Sequence, residues 1–108
     1  LQHLSKAFMD SLKSLTFSDK NTWQQFLGDF NNSYTDLLDN VKRNNPKTTD
    51  KDLQYIALAK LGLSINDICY LLDVGEQTIW NRRQRVKAHL NDPNTDLDEW
   101  IRMLSSQP

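Results

Sequence analysis

The chain has 108 residues, a formal net charge of −1 and 38% hydrophobic residues. This length suits one domain with a single core, and only three glycines and three prolines favour a compact helical protein over a β-sandwich or barrel. No apolar run is long enough for a membrane-spanning helix, and one cysteine excludes an internal disulfide framework. Because the chain opens on Leu1 rather than Met, we expect a fragment of a longer protein.

Apolar residues at three- and four-residue spacing predict the first two helices. In residues 1–22 the stripe is short, and this segment is either a linker helix or a helix that packs on the domain. A longer stripe then predicts one long helix, with Thr22 and Gln25 as a capping box at its start and Asn44-Asn45-Pro46 at its end. We assign this second stripe to core packing: Trp23, Phe26, Phe30, Tyr34, Leu37, Leu38 and Val41.

A third helix is predicted from Asp50 to about Lys60. Thr49 is its expected N-cap, and Gly62 is placed to end it in a left-handed C-cap. The side chains expected to turn inward are Leu53, Tyr55, Ile56 and Ala57.

Residues 63–90 have the layout of a helix-turn-helix, in which the second helix enters the DNA major groove. Ser64 is predicted to cap the first short helix. Val74 is the apolar plug of a three-residue turn, and Gly75 is placed as the N-cap of the second helix. The second helix runs from about Glu76 to Leu90, and its inward side chains are Ile79, Val86 and Leu90.

Charge is distributed unevenly along the chain. Residues 76–90 carry four basic residues against one acid, whereas residues 91–108 carry one arginine against four acids. A local positive field on one helix matters more for DNA binding than the total charge. Basic residues on a helix are often only its solvated face, but the turn and the spacing favour a DNA-binding helix.

A last helix is predicted to begin at Thr95 or Asp96, after a break that contains Pro93. Two interpretations of its apolar residues remain open: they close the core, or they form a docking face. The sequence as a whole predicts an all-α helical bundle of five or six helices. Residues 23–108 are expected to form a helix-turn-helix DNA-binding domain without a wing, with a long N-terminal helix and an extra C-terminal helix.

From Thr49 to Leu90 the chain resembles the LuxR-type (GerE-like) helix-turn-helix domain of transcription regulators. The aromatic residues before Pro46 make it similar to one variant, the C-terminal cytoplasmic output domain of Bacteroidetes regulators with sensor or tetratricopeptide repeats and a membrane helix upstream. The pattern runs without a gap through Thr49, Asp52, Ile56, Gly62-Leu63-Ser64, Asp67, Ile68-Cys69, Leu72, Val74, Thr78-Ile79, Val86 and Leu90.

This resemblance implies a transcription regulator located in the cytoplasm, or the cytoplasmic portion of a membrane-anchored one, tethered to an upstream sensor region. It also implies a possible homodimer through the C-terminal helix, with Trp100, Ile101 and Leu104 at the contact. Three residues depart from the family pattern. Cys69 replaces a small alanine, Gly75 replaces a serine N-cap, and Arg83 stands where the family has an inward apolar residue.

The resemblance implies double-stranded DNA as the partner and two sets of contacts. Amide side chains suit bidentate pairing to adenine, a tryptophan suits the thymine methyl group, and cations position the helix on phosphates. Trp80 has an alternative interpretation, in which it packs against the last helix. The base contacts would be Gln77, Thr78, Trp80, Asn81 and Gln84; the phosphate contacts would be Arg82, Arg83, Arg85, Lys87, Ser64 and Thr49.

Catalysis has little support in the sequence. His3 and His89 are far apart, and neither has a cysteine or an acid at metal-ligand spacing. Cys69 lies on an apolar helix face, where thiols are usually inert, and no glycine-rich phosphate loop is present. We therefore expect no enzyme activity, no metal and no cofactor. The alternative function is a protein-interaction or dimerisation module built on a helix-turn-helix fold, because fold alone does not decide function.

Overall fold

The computed structural model describes residues 20–92 and 94–105, with side chains from residue 23 onward. This part of the chain contains no β-strand, which confirms the predicted all-α bundle of five or six helices. Of the segment 1–22, for which a linker or packing helix is predicted, residues 1–19 lie outside the described residues. None of the helices in the described part has the length and apolar character required to cross a membrane. The described residues form six helices: α1 (Lys20–Ser33), α2 (Leu37–Asn44), α3 (Asp50–Lys60), α4 (Ile65–Leu72), α5 (Glu76–His89) and α6 (Leu97–Met103).

Helix α3 is the centre of the domain, since it packs against α2, α4, α5 and α6. Ile56, Ala57 and Leu58 are completely buried, and Tyr55 is also in the core, as predicted. Leu53 is only half-buried. The other helices each contribute buried apolar residues to the same core. Their buried residues are Phe26, Phe30, Leu37, Leu38, Val41, Ile68, Leu71, Ile79, Val86, Leu97 and Ile101.

The ends of α3 follow the predicted capping chemistry. The Thr49 hydroxyl accepts a hydrogen bond from the Asp52 backbone N–H, and the Asp52 carboxylate accepts one from the Thr49 N–H, at 3.2 and 2.9 Å. This capping box satisfies two amide groups that have no partner inside the helix. Gly62 follows the helix with φ of 89°, a left-handed conformation that glycine adopts without a steric penalty.

The predicted long helix of residues 23–41 is wrong, because it is divided into α1 and α2. Asp36 adopts the left-handed conformation, with φ of 63°, and α2 begins at the next residue. Aspartate tolerates this conformation better than most residues. The aromatic rings of Phe30 and Tyr34 still stack, with centroids 4.9 Å apart. Thr22 lies inside α1 and so is not its N-cap.

Helices α4 and α5 and the three-residue turn between them lie where the sequence predicts them. The Ser64 hydroxyl accepts from the Asp67 N–H at 3.1 Å and so caps α4. Asp73 ends α4 in the left-handed conformation, and Val74 is half-buried against the core, as expected for the plug of the turn. Gly75 is the N-cap of α5 and contributes no side-chain hydrogen bond. The turn therefore fixes the direction in which α5 leaves α4.

Candidate nucleic-acid interface

The outer side of α5 is a stripe of amide side chains, which we call the amide face: Gln77, Asn81 and Gln84. A helix turns about 100° per residue, so these three residues fall along one line opposite the buried Ile79 and Val86. All three are exposed. Gln77 Nε2 donates a 3.0 Å hydrogen bond to Asn81 Oδ1, which orders two of the amides relative to each other. Three of the five predicted base contacts therefore share one exposed surface that offers both donors and acceptors.

Basic side chains lie on both sides of the amide face. By the same helical period, Arg82 and Arg85 follow one edge of the face and Lys87 follows the other. Arg85 and Lys87 are exposed, whereas Arg82 is half-buried. A helix inserted in the major groove has a phosphate strand on each side, so this arrangement of cations suits two strands.

Arg82 lines a groove between α3 and α5 that also contains Thr78 and Lys51. Thr78, a predicted base contact, is exposed but lies at this edge of α5 rather than on the amide face. Lys51 is an exposed cation that the sequence analysis did not assign. Only the packing of α3 against α5 brings it near Arg82, so no local sequence signal identifies it.

Arg83 differs from the other cations because its guanidinium has partners on two other helices. Its Nη1 and Nη2 donate to the two carboxylate oxygens of Asp98 at 2.7 and 2.9 Å, and Nη1 also donates to the Tyr55 hydroxyl at 2.6 Å. Its side chain is 14% exposed. The stem of Arg83 is buried as predicted, and its guanidinium is paired with Asp98. Its assignment as a phosphate contact stays a prediction.

Trp80 lies at the edge of the amide face that is nearer to Arg83. Its side chain is 44% exposed, and the Arg83 guanidinium lies over its ring, 4.9 Å from the centroid. Trp80 also lines a groove shared with Ile101 and Arg102 of α6. Trp80 is thus partly exposed to solvent and also lies beside the last helix. A contact with DNA and packing against the last helix are therefore compatible.

Thr49 and Ser64 are both exposed helix caps. Each hydroxyl oxygen accepts a backbone N–H of its own helix, at 3.2 Å for Thr49 and 3.1 Å for Ser64. A hydroxyl also has one proton to donate. Both residues can therefore keep their caps and still donate to a phosphate oxygen.

The apolar residues of α6 mostly close the core. Ile101 is 3% exposed, and Trp100 and Leu104 are half-buried against the core. Ile101 is thus removed from the predicted dimer surface, because its side chain is already packed inside the domain. Trp100 and Leu104 line a groove with Leu37 and Val41 of α2.

A buried carboxylate joins the start of α3 to the end of α5. Asp52 is completely buried, and its Oδ2 lies 2.5 Å from His89 Nδ1. Its Oδ1 is buried without a hydrogen-bond partner among the described residues. This pair holds the last turn of α5 against α3 and so helps to fix the orientation of the amide face.

No group of three or more histidine, cysteine or acidic side chains within residues 20–92 and 94–105 is arranged to hold a metal ion. Cys69 is half-buried beside the core. Burial, and to a smaller extent Glu76, raises the pKa of its thiol. A protonated thiol packs as a small hydrophobic group, so Cys69 suits this half-buried position.

The Arg83–Asp98 pair links the stability of the domain to pH. Arg83 lowers the pKa of the Asp98 carboxyl by hydrogen bonding, and Asp98 in turn raises the pKa of the guanidinium. A carboxyl with a lowered pKa stabilises the folded chain at pH values above its ordinary pKa of about 4. This contribution is lost as the pH falls through the lower pKa of the folded state.

We expect Asp98→Asn to destabilise the domain at pH 7 but to have almost no effect on its stability near pH 2. The difference at pH 7 should stay below about 1 kcal/mol, because the Asp98 side chain is 70% exposed and solvent screens the pair. Urea unfolding of both proteins at the two pH values measures it. An equal difference at both pH values would show that the asparagine acts through packing and not through charge.

Comparisons of the chain with protein-family models, with curated proteins and with solved structures gave no match. The functional interpretation therefore depends on the chemistry of the residues themselves.

Proposed function

We propose that this chain is the DNA-binding domain of a transcriptional regulator and that α5 enters the major groove. One observation carries the proposal: α5, the second helix of a helix-turn-helix, presents an exposed line of amides with cations along both edges. In this proposal Gln77, Asn81 and Gln84 pair with base edges. Arg85 and Lys87 contact phosphates on opposite strands. Arg82 and Lys51 add positive charge in the groove between α3 and α5, which Asp50 also lines.

Amide side chains fit this role because each can donate to and accept from the same adenine edge. Cations supply the larger, sequence-independent share of the affinity and fix the register. Thr49 and Ser64, at the starts of α3 and α4, donate to the backbone beside the groove. Thr78 and Trp80 contact bases at the two edges of the amide face.

The resemblance to LuxR-type domains supports the same proposal from the order of residues in the chain. Ser64 caps α4, and Ile79 and Val86 of α5 are buried, which agrees with that order of residues. Gly75 departs from it, because it caps α5 without a side-chain hydrogen bond. We propose accordingly a cytoplasmic output domain that is linked to an upstream sensor region. Dimerisation through α6 would use its exposed side, since Ile101 is occupied by the core.

A protein-interaction module is the second candidate function. The observation in its favour is Met103, which is 68% exposed on α6 in a domain with few exposed large apolar side chains. Salt distinguishes the two candidates. Binding to DNA weakens steeply as salt rises because counterions are released, whereas an apolar docking contact does not weaken in this way.

The deciding experiment is a selection of this chain against a pool of random DNA duplexes, followed by titration of the recovered sequence at several salt concentrations. A recovered motif with steep salt dependence is the expected result, and a palindromic motif would indicate a dimer. Weak, salt-sensitive binding to every duplex would indicate that base reading requires the dimer. An absence of DNA binding at any salt would favour the interaction module.

We expect Arg85→Ala to weaken binding to all duplexes alike and to reduce the slope of log affinity against log salt by about one. Arg82→Ala should have a similar or smaller effect, because its side chain is half-buried. Arg43→Ala is the matched control: it removes the same charge from an exposed arginine near the end of α2 and should leave the slope unchanged. Equal slopes in all four proteins would remove both arginines from the phosphate contacts.

A further inference from the structure

Three side chains connect α6 to the edge of the amide face: Asp98, Arg83 and Trp80. Asp98 lies on α6, and both of its carboxylate oxygens accept from the Arg83 guanidinium, at 2.7 and 2.9 Å. The guanidinium lies over the Trp80 ring at 4.9 Å from its centroid. Asp98, which lies outside α4 and α5, is thus connected through Arg83 to Trp80, a residue predicted to contact a base.

The geometry of these contacts fixes the plane of the guanidinium. A bidentate pair with a carboxylate allows one relative orientation, and the 2.6 Å hydrogen bond to the Tyr55 hydroxyl adds a third anchor from α3. A cation held in this way over an indole ring attracts the ring face electrostatically. The orientation of the Trp80 ring therefore depends on an ion pair that itself contacts no DNA in the proposed complex.

The covered face also limits what Trp80 can recognise. Arg83 occupies one face of the ring, so the indole cannot be stacked between two bases, and the rest of its surface is partly exposed. An exposed apolar surface beside the major groove has one apolar group to contact on the base edges, the C5 methyl of thymine.

We propose that Asp98 is a positioning residue for thymine recognition: through Arg83 it holds the Trp80 ring where it contacts the C5 methyl group. This inference rests on the proposed DNA-binding function. Asp98 would not touch the DNA, and its removal would change which base is preferred at one position more than it changes overall affinity.

The test compares thymine with deoxyuridine, which lacks only the methyl group, at each thymine of the sequence recovered by selection. For the unchanged chain we expect one position at which deoxyuridine weakens binding about fourfold, the effect of burying one methyl group. In Trp80→Ala the ratio of the affinity for thymine to that for deoxyuridine should fall to one. Asp98→Asn should lower the ratio toward one while DNA binding persists. Arg83→Lys keeps the charge but loses the bidentate geometry, and it should have the same effect.

Glu99→Gln is the matched control, because it removes the same charge from the next residue of α6, whose carboxylate pairs with Arg102 instead. It should keep the fourfold ratio, and thermal melts should show that all variants are folded. A fourfold ratio retained in both Asp98→Asn and Arg83→Lys would overturn the proposal. Insensitivity of the unchanged chain to deoxyuridine at every position would also overturn it, while a recovered motif would still support DNA binding. If no duplex is bound, both proposals fail.

Discussion

Replacing His89 with alanine is expected to destabilise the domain by about 3 kcal/mol. The reason is the buried carboxylate of Asp52, which has no solvent exposure and lies 2.5 Å from His89 Nδ1. Without the imidazole, the Thr49 N–H is the only hydrogen-bond donor left to that carboxylate among the described residues. A buried charge that loses its partner costs more than the pair itself contributes.

A double-mutant cycle measures this coupling by urea unfolding. Asp52→Asn removes the charge at nearly constant shape and can still accept from the Thr49 N–H. In this background His89→Ala should therefore cost much less than it does in the unchanged chain. If His89→Ala lowers the free energy of unfolding equally in the two backgrounds, His89 acts through packing alone and its contact with Asp52 does not stabilise the fold.

The second large effect is expected for Ile56→Ala, which should destabilise the domain by about 2–5 kcal/mol. Ile56 is completely buried in α3, the helix that packs against four others. Truncation removes apolar contacts and leaves a cavity that the surrounding helices cannot fill completely. Such a loss is a large part of the 5–15 kcal/mol that is typical for a folded domain.

Met103→Ala is the control for this prediction, since Met103 is 68% exposed on α6. Its effect should lie within about 0.5 kcal/mol. The salt slope of DNA binding should be the same for Ile56→Ala as for the unchanged chain at temperatures where the variant is folded, because Ile56 contacts no phosphate in the proposed complex. A cost below about 1 kcal/mol for Ile56→Ala would show that α3 is not the centre of the core.

The amide face was predictable from the sequence in most of its parts. Gln77, Asn81 and Gln84 belong to one helix whose buried side is marked by Ile79 and Val86, so the helical period alone places them on the opposite side. The same reasoning is incomplete for Arg83. Its period indicates an inward direction, but nothing near it in the chain identifies Asp98 and Tyr55 as its partners, which are 15 and 28 residues away.

The division of the first long helix was missed for a related reason. The apolar period of α1 continues through α2, so the pattern of burial shows no interruption at Asp36. The helix is interrupted by a single residue with a left-handed backbone conformation. That interruption depends on where α2 must lie to bury Leu37 and Leu38. The environment of Ile101 was equally a matter of packing, because the sequence shows an apolar residue but not what covers it.

The sequence was sufficient to predict helices α3 to α6, the caps at Thr49 and Ser64, the turn before α5 and the concentration of basic residues on that helix. These features depend on interactions within a few residues, such as the Thr49–Asp52 capping box and the 3.6-residue period. The packing of distant segments sets which charges are paired, where Lys51 lies, and that Asp52 is buried against His89. Those outcomes depend on contacts between residues far apart in the chain, which no local pattern specifies.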